Sequence, residues 1–288
     1  MTRMARAHDG AGIAWCSTGE GEPLLLISGQ AVDSSAWDAV VPTFAESFRV
    51  ITVDHRGTGE SEPGTDEAYS TRSFARDALA VLDHAGVDRA HVYGHSMGGR
   101  VAQWLAIDSP DRVASLVLGA TTAGDEGGVP RSAAATADLA SGDADRLARL
   151  FFVDAGRRAD AEAFFDQKAS ARAKRLHRRA SRAHDTWDLL GRIVAPTLVI
   201  HGADDAMSPA GNAELMAERI PDSRLALLPG ARHGYYLEHP AASDVVIDFL
   251  RHVTDRHGPR TKPCSRTLPS ITFTQRPQRG GPLRGSSP

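Results

Sequence analysis

Cysteine is almost missing from this chain. Only Cys16 and Cys264 occur in 288 residues, near opposite ends, and so distant a pair builds neither a disulfide framework nor a zinc site. Long apolar runs are missing too. No stretch of roughly 18 residues is apolar throughout, so no membrane-spanning helix is expected. The opening Met1-Thr2-Arg3-Met4-Ala5-Arg6 lacks the apolar core of a secretory signal, which makes the cytoplasm the expected location. The longest stretch without acidic residues lies at the C-terminal end. Residues 256–288 hold seven Lys/Arg with no Asp or Glu, together with six prolines and four glycines. Such a composition resists regular structure, so 255–288 is expected to be a disordered basic tail. Aromatics are nearly absent from that tail (Phe273 alone), which speaks against nucleic-acid or membrane binding.

What is present is ordinary for a globular protein: 41% hydrophobic and 24% charged residues. The length suits one α/β domain with an insertion, or two small domains. Gly12–Thr18 alternates loosely and reads as an opening antiparallel strand. Leu24-Leu25-Leu26-Ile27, Arg49–Val53, Ala90–Tyr93, Val113–Leu118, Pro196–Ile200 and Arg224–Leu228 are too continuously apolar for a one-sided sheet. Helical patterns fall between them: from Trp37 through Phe44, from Ser73 to Gly86, from Met97 to Asp108, over Asn212–Ile220, and over Ala241–Val253. Strands alternating with helices predict a parallel sheet with right-handed crossovers.

That rhythm breaks over 124–192. A Gly/Ala-rich start leads into helical patterns around Ala144–Phe152, Ala159–Phe165, Gln167–His184 and Thr186–Leu190, with no credible strand. Lys168, Arg172, Arg175, Arg179 and Arg182 recur at helical spacing beside a stripe of Ala169, Ala173, Leu176, Ala180 and Ala183. The basic face is either a solvated outer surface or an attractor for a carboxylate-bearing substrate, since guanidinium and carboxylate pair as forks.

Chemistry concentrates at Gly94-His95-Ser96-Met97-Gly98, a G-x-S-x-G pattern between a strand and a helix. The sharp turn lifts the serine hydroxyl above the sheet, making Ser96 the candidate nucleophile. Serine needs a base, and the base needs an orienting carboxylate. His233 follows the last predicted strand between Gly230 and Gly234, and Asp204 and Asp205 follow the one before it. Serine, acid, histidine is the chain order such an elbow calls for. Adjacent aspartates leave the acid open between two. Asp54-His55-Arg56-Gly57-Thr58-Gly59-Glu60-Ser61 has neither a P-loop lysine nor a third fingerprint glycine, so nucleotide binding is not expected. Asp54 and Arg56 are expected to brace that loop, and His95 to pack beneath the site. Trp37, Trp104 and Trp187 could equally be core or pocket lining.

Taken together, the elbow, the 54–61 loop, Gly202-Ala203-Asp204-Asp205 with Pro209, and His233 with Glu238 and Pro240 resemble the α/β-hydrolase superfamily over residues 12–254. The resemblance implies an α/β fold with an eight-stranded, mostly parallel sheet and helices on both faces. It also implies a core of 12–123 and 193–254 with 124–192 as a helical cap, and favours Asp205 over Asp204. Two N–H donors are then needed for the oxyanion: Met97, directly after the nucleophile, and Gln30, in the loop after Ile27. Where the commonest pattern has His-Gly, this chain has Ser28-Gly29, similar to 3-oxoadipate enol-lactonases and related small-acid hydrolases. The expectation is a serine hydrolase of a small carboxylic ester or lactone, needing no cofactor and no metal. No substrate-binding residue and no oligomeric state is assigned. A carbon–carbon bond hydrolase or a cofactor-free perhydrolase would use the same triad. Ring-cleavage hydrolases usually carry a glycine-rich loop where Ser28-Gly29-Gln30-Ala31 stands, and position 96 is not the aspartate of dehalogenases and epoxide hydrolases. A non-catalytic ligand receptor on the same fold is the remaining competitor.

Overall fold

A computed structural model describes residues 1–154, 156–157, 169–257 and 272–274. Its strands are β1 (Arg3–Arg6), β2 (Gly12–Thr18), β3 (Glu22–Ile27), β4 (Phe48–Val53), β5 (Ala90–His95), β6 (Val113–Gly119), β7 (Thr197–Gly202), β8 (Ser223–Leu228) and β9 (Thr272–Thr274). They form one sheet in the order β1-β2-β4-β3-β5-β6-β7-β8-β9. From β4 to β8 every pairing is parallel, while β1–β2, β2–β4 and β8–β9 are antiparallel. The first eight strands are the mostly parallel α/β sheet expected.

The continuous apolar runs are explained by two-sided burial. In β3, Leu25 and Ile27 enter one core cluster and Leu24 and Leu26 the other; in β7, Val199 goes to the first face and Leu198 and Ile200 to the second. Alternate side chains point to opposite faces, so a strand covered on both sides has no polar position to spare. Helices α2 (Thr71–His84), α3 (Met97–Asp108) and α7 (Gly211–Arg219) cover one face. On the other lie α1 (Val41–Ala45) and α9 (Pro240–His257), with the single turn α8 (Tyr235–Glu238).

Helix α2 starts two residues before the expected Ser73. Ser70 is its N-cap, its side chain accepting the Ser73 N–H at 3.0 Å, an arrangement that satisfies a donor the helix leaves open. Strand β1 was hidden by its polar composition: it is an edge strand with only Ala5 buried. At the far edge, β9 falls within the extension expected to lack regular structure. Thr272-Phe273-Thr274 is free of proline and glycine, and pairing it with β8 occupies an edge otherwise left with open backbone groups.

Between β6 and β7 lie α4 (Ala133–Ala140), α5 (Ala144–Phe151) and α6 (Ala171–Arg182). The small-residue run thus hides a helix, α4, capped by Ser132. The helix expected over 159–165 lies outside the described residues, as does Lys168. No helix among the described residues is long and apolar enough to cross a membrane.

Candidate active site

The sheet order reverses at β3, whose neighbours are β4 on one side and β5 on the other. Open α/β sheets bind ligands beyond the carboxyl ends of strands at such a reversal. Ser96 stands there, between β5 and α3, with φ 56° and ψ −122°. Both ends of its peptide are held: Ser96 N–H donates to Gly119 O at 2.8 Å, and Ser96 O accepts from the Thr121 hydroxyl at 2.7 Å. A Cβ on Gly94 would sit 2.2 Å from Gly98 O, and one on Gly98 would sit 2.1 Å from Ile27 O. The two glycines of the motif are therefore demanded by close backbone approach.

The structure separates the two aspartates. Asp204 is exposed and Asp205 buried. One Asp205 oxygen accepts the backbone N–H groups of Met207 and Ser208, each at 2.8 Å. The other accepts His233 Nδ1–H at 2.8 Å and lies 3.2 Å from His201 Nε2. Burial works to raise its pKa, but the His233 charge and the hydrogen bonds from His201 and His233 outweigh this and hold the carboxyl well below the usual range. A proton on His233 Nδ1 leaves Nε2 as the basic nitrogen. His201 was missed by sequence reasoning; its place at the end of β7, four residues before Asp205, was the available signal. Its Nε2 also donates to Ser208 O at 2.7 Å, pinning the turn that presents the acid.

Ser96 and His233 line one pocket with Gln30, Met97 and Phe151, enclosing about 690 Å³ of empty space that is partly open to solvent. The Ser96 hydroxyl makes no hydrogen bond to another described residue and opens into this pocket. Met97 is the first residue of α3, so its N–H has no acceptor within the helix. Neither the Met97 nor the Gln30 amide is hydrogen-bonded among the described residues. Phe151, Leu139 and Ser181 bring the segment between β6 and β7 to the pocket wall. This segment is also tied to the two neighbours of His233: Gly234 N–H donates to Phe151 O at 2.8 Å, and Arg232 donates to Arg149 O and Phe152 O.

Most of the remaining expectations resolve plainly. Asp54 accepts the Ser34 and Glu60 amides, and Arg56 is buried against Asp9 and Asp77, so both brace the loop. His95 lies beneath the site and donates Nε2–H to His233 O at 2.9 Å. Trp37 is core, packed on Tyr93 and Tyr236, and none of the three tryptophans lines the pocket. The basic stripe of α6 faces outward: Arg172 pairs with Asp66, Arg179 donates to Asp66 O, and Arg175 and Arg182 are exposed. Its buried side carries His177, a second residue the sequence did not single out. His177 Nε2–H donates to Arg56 O at 2.9 Å while Nδ1 accepts the Ala31 N–H at 3.2 Å, so α6 holds the loop that contains Gln30.

These buried histidines set an acid limit. Burial holds His55 down to about 4 and His95 and His177 down to about 3, against about 6.5 unfolded. Each folded pKa is depressed, so the unfolded chain takes up protons first. Stability is full above pH 6.5 and is lost as the pH falls toward 4 to 3. At pH 5.5 each group costs about 1 kcal/mol, and the three together a few kcal/mol. A steep fall in Tm between pH 7 and 5.5 is expected in calorimetry, and a flat Tm across that range would show the rings to be protonated in the fold.

A family model described as the alpha/beta hydrolase fold matches residues 22–240. The chain belongs to this family. It is 34% identical over 254 residues to a protein named as a putative carbamate hydrolase from Variovorax paradoxus, covering 82% of this chain and 94% of that one. It is 30% identical over 256 residues to a 2-hydroxy-6-oxononadienedioate/2-hydroxy-6-oxononatrienedioate hydrolase from Cupriavidus pinatubonensis, covering 81% and 88%. Among solved structures, the esterase RhEst1 from Rhodococcus sp. ECU1013 superposes with a TM-score of 0.77 at 28% identity, covering 88% of this chain and 99% of that one. With relatives named as hydrolases and an esterase, this alpha/beta hydrolase is an enzyme of the hydrolase class acting on a small molecule.

Proposed function

We propose that the protein is a serine hydrolase of small carboxylic esters or lactones, with Ser96 as nucleophile, His233 as base and then acid, and Asp205 as the orienting group. The observation that carries this reading is the buried His233–Asp205 pair at 2.8 Å, whose imidazole opens into the same pocket as the strained Ser96. His233 Nε2 takes the Ser96 proton as Oγ attacks the carbonyl carbon. The oxyanion is held by the Gln30 and Met97 N–H groups. Collapse breaks the carbon–oxygen bond of the ester, and His233 returns the proton to the departing alkoxide. Water then attacks the acyl-enzyme by the same route and releases the acid. Residues 124–192 act as the cap, a role supported by the places of Leu139, Phe151 and Ser181 on the pocket wall.

Carbon–carbon bond hydrolysis by the same groups is the second reading, favoured by the relative of that type. A fluorophosphonate probe is expected to add one label, located at Ser96 by peptide mass spectrometry, and short p-nitrophenyl esters are expected to turn over. An unlabelled Ser96 would sink the nucleophile assignment. Labelling with turnover of vinylogous 1,5-diketones and none of esters or lactones would transfer the assignment to carbon–carbon cleavage.

A further inference from the structure

Two arginines reach the pocket without a carboxylate on its lining. Arg100, one helical turn after Ser96 on α3, is already engaged: it donates to Asp125 at 2.8 Å and to Ser181 O. Arg131, in the loop before α4, is not. Its Nε donates to Met207 O at 2.5 Å, which fixes the guanidinium against the turn that carries Asp205. Its two terminal nitrogens make no hydrogen bond to any described residue, and no described Asp or Glu lies within ion-pair distance of it. Asp125, half exposed, is the carboxylate near both arginines, and it is bonded to Arg100.

Building on the serine hydrolase reading above, we propose that Arg131 is the specificity-determining residue of this pocket and binds a second carboxylate on the substrate. The substrate class is then a hemiester of a dicarboxylic acid or a carboxylate-bearing lactone. The geometry suits this ligand. With Nε anchored on Met207 O, the planar fork offers Nη1 and Nη2 together, and a carboxylate can accept both. The lining carries two cations and no carboxylate, with Asp125 and Asp205 lying behind it, and the neighbouring oxyanion donors add to the positive field. Burial lowers the Arg131 pKa, while Asp125 and Asp205 offset the repulsion from Arg100, so what an entering carboxylate relieves is the lost hydration of the guanidinium. The recognition is thereby moved from the outer stripe of α6, whose arginines are paired or exposed, to a single side chain beside the acid turn.

The test compares monomethyl and dimethyl esters of succinate, glutarate and adipate, with the preference defined as the ratio of kcat/KM for hemiester over diester. The wild-type ratio is expected to exceed ten for at least one chain length. Arg131→Gln is expected to reduce it about 10–100-fold, Arg131→Lys to retain part of it, and Arg175→Gln, on the outer stripe, to leave it unchanged. A ratio near one in the wild type, a ratio untouched by Arg131→Gln, or a loss at Arg175 instead would overturn the proposal. Because a ratio is read, a general loss of folding does not imitate the result. In parallel, glutarate binding to the Ser96→Ala protein is measured by calorimetry with and without Arg131→Gln. A loss of affinity on removing Arg131 supports the site even if no ester is hydrolysed, and equal affinity overturns it. Failure of the hydrolase reading is seen separately, as an unlabelled Ser96.

Discussion

Asp205→Asn is expected to lower kcat/KM on a p-nitrophenyl ester by roughly four orders of magnitude. The reason lies in the number of donors that converge on this carboxylate. One oxygen takes the Met207 and Ser208 amides, and the other takes His233 Nδ1–H beside His201 Nε2. An amide has a single acceptor oxygen. If that oxygen faces His233, the NH2 group opposes two backbone N–H donors; if it faces the turn, the NH2 group opposes His233 and drives the proton to Nε2, the wrong nitrogen for a base. Either way buried donors lose their acceptor, each costing about 1–3 kcal/mol, so a lower Tm is expected beside the lost rate. Steady-state kinetics with calorimetry on the same preparation checks both. A variant retaining activity within tenfold would remove Asp205 from its orienting role.

Ser96→Gly is expected to abolish turnover, with a loss of at least roughly 10⁴-fold in kcat/KM, and at the same time to stabilise the protein. A serine at φ 56° and ψ −122° stores strain of about 1–3 kcal/mol that the surrounding hydrogen bonds hold in place. Glycine adopts that conformation without a Cβ penalty. Ser96→Ala provides the control, since it removes the hydroxyl and keeps the Cβ. Its Tm should lie below that of Ser96→Gly, and equal melting temperatures would mean the elbow is not strained by its side chain. Turnover by either variant would place the nucleophile elsewhere.

The parts of the fold that were legible in the sequence are those where burial is two-sided and local. The runs at Leu24–Ile27 and Val113–Leu118 have no alternative to a covered strand, and α3 runs from Met97 to Asp108 as its pattern predicts. Strand β1 was illegible because an edge strand needs little apolar content, and α4 because alanine-rich helices and loops look alike at this length. At the site, Ser96, Asp205 and His233 were visible through their order along the chain and their places after strands. Gln30 and Met97 were inferred from where amides must point, and they line the pocket with Ser96. Arg131 and His177 left no such trace: each acts through a contact made across the fold, with Met207 or with Ala31 and Arg56, and no periodicity in the chain encodes such a meeting. His201 offered only its place at the end of β7, four residues before Asp205.

The bond from Gly234 N–H to Phe151 O joins two parts that are usually thought of separately, the wall of the pocket and the backbone beside His233, the ring proposed to move the proton. Any outward swing of α5 must break it, and with it goes a restraint on the backbone of His233. On the proposed mechanism, the alignment of the base is therefore coupled to the position of the pocket wall, and a change in one is a change in the other.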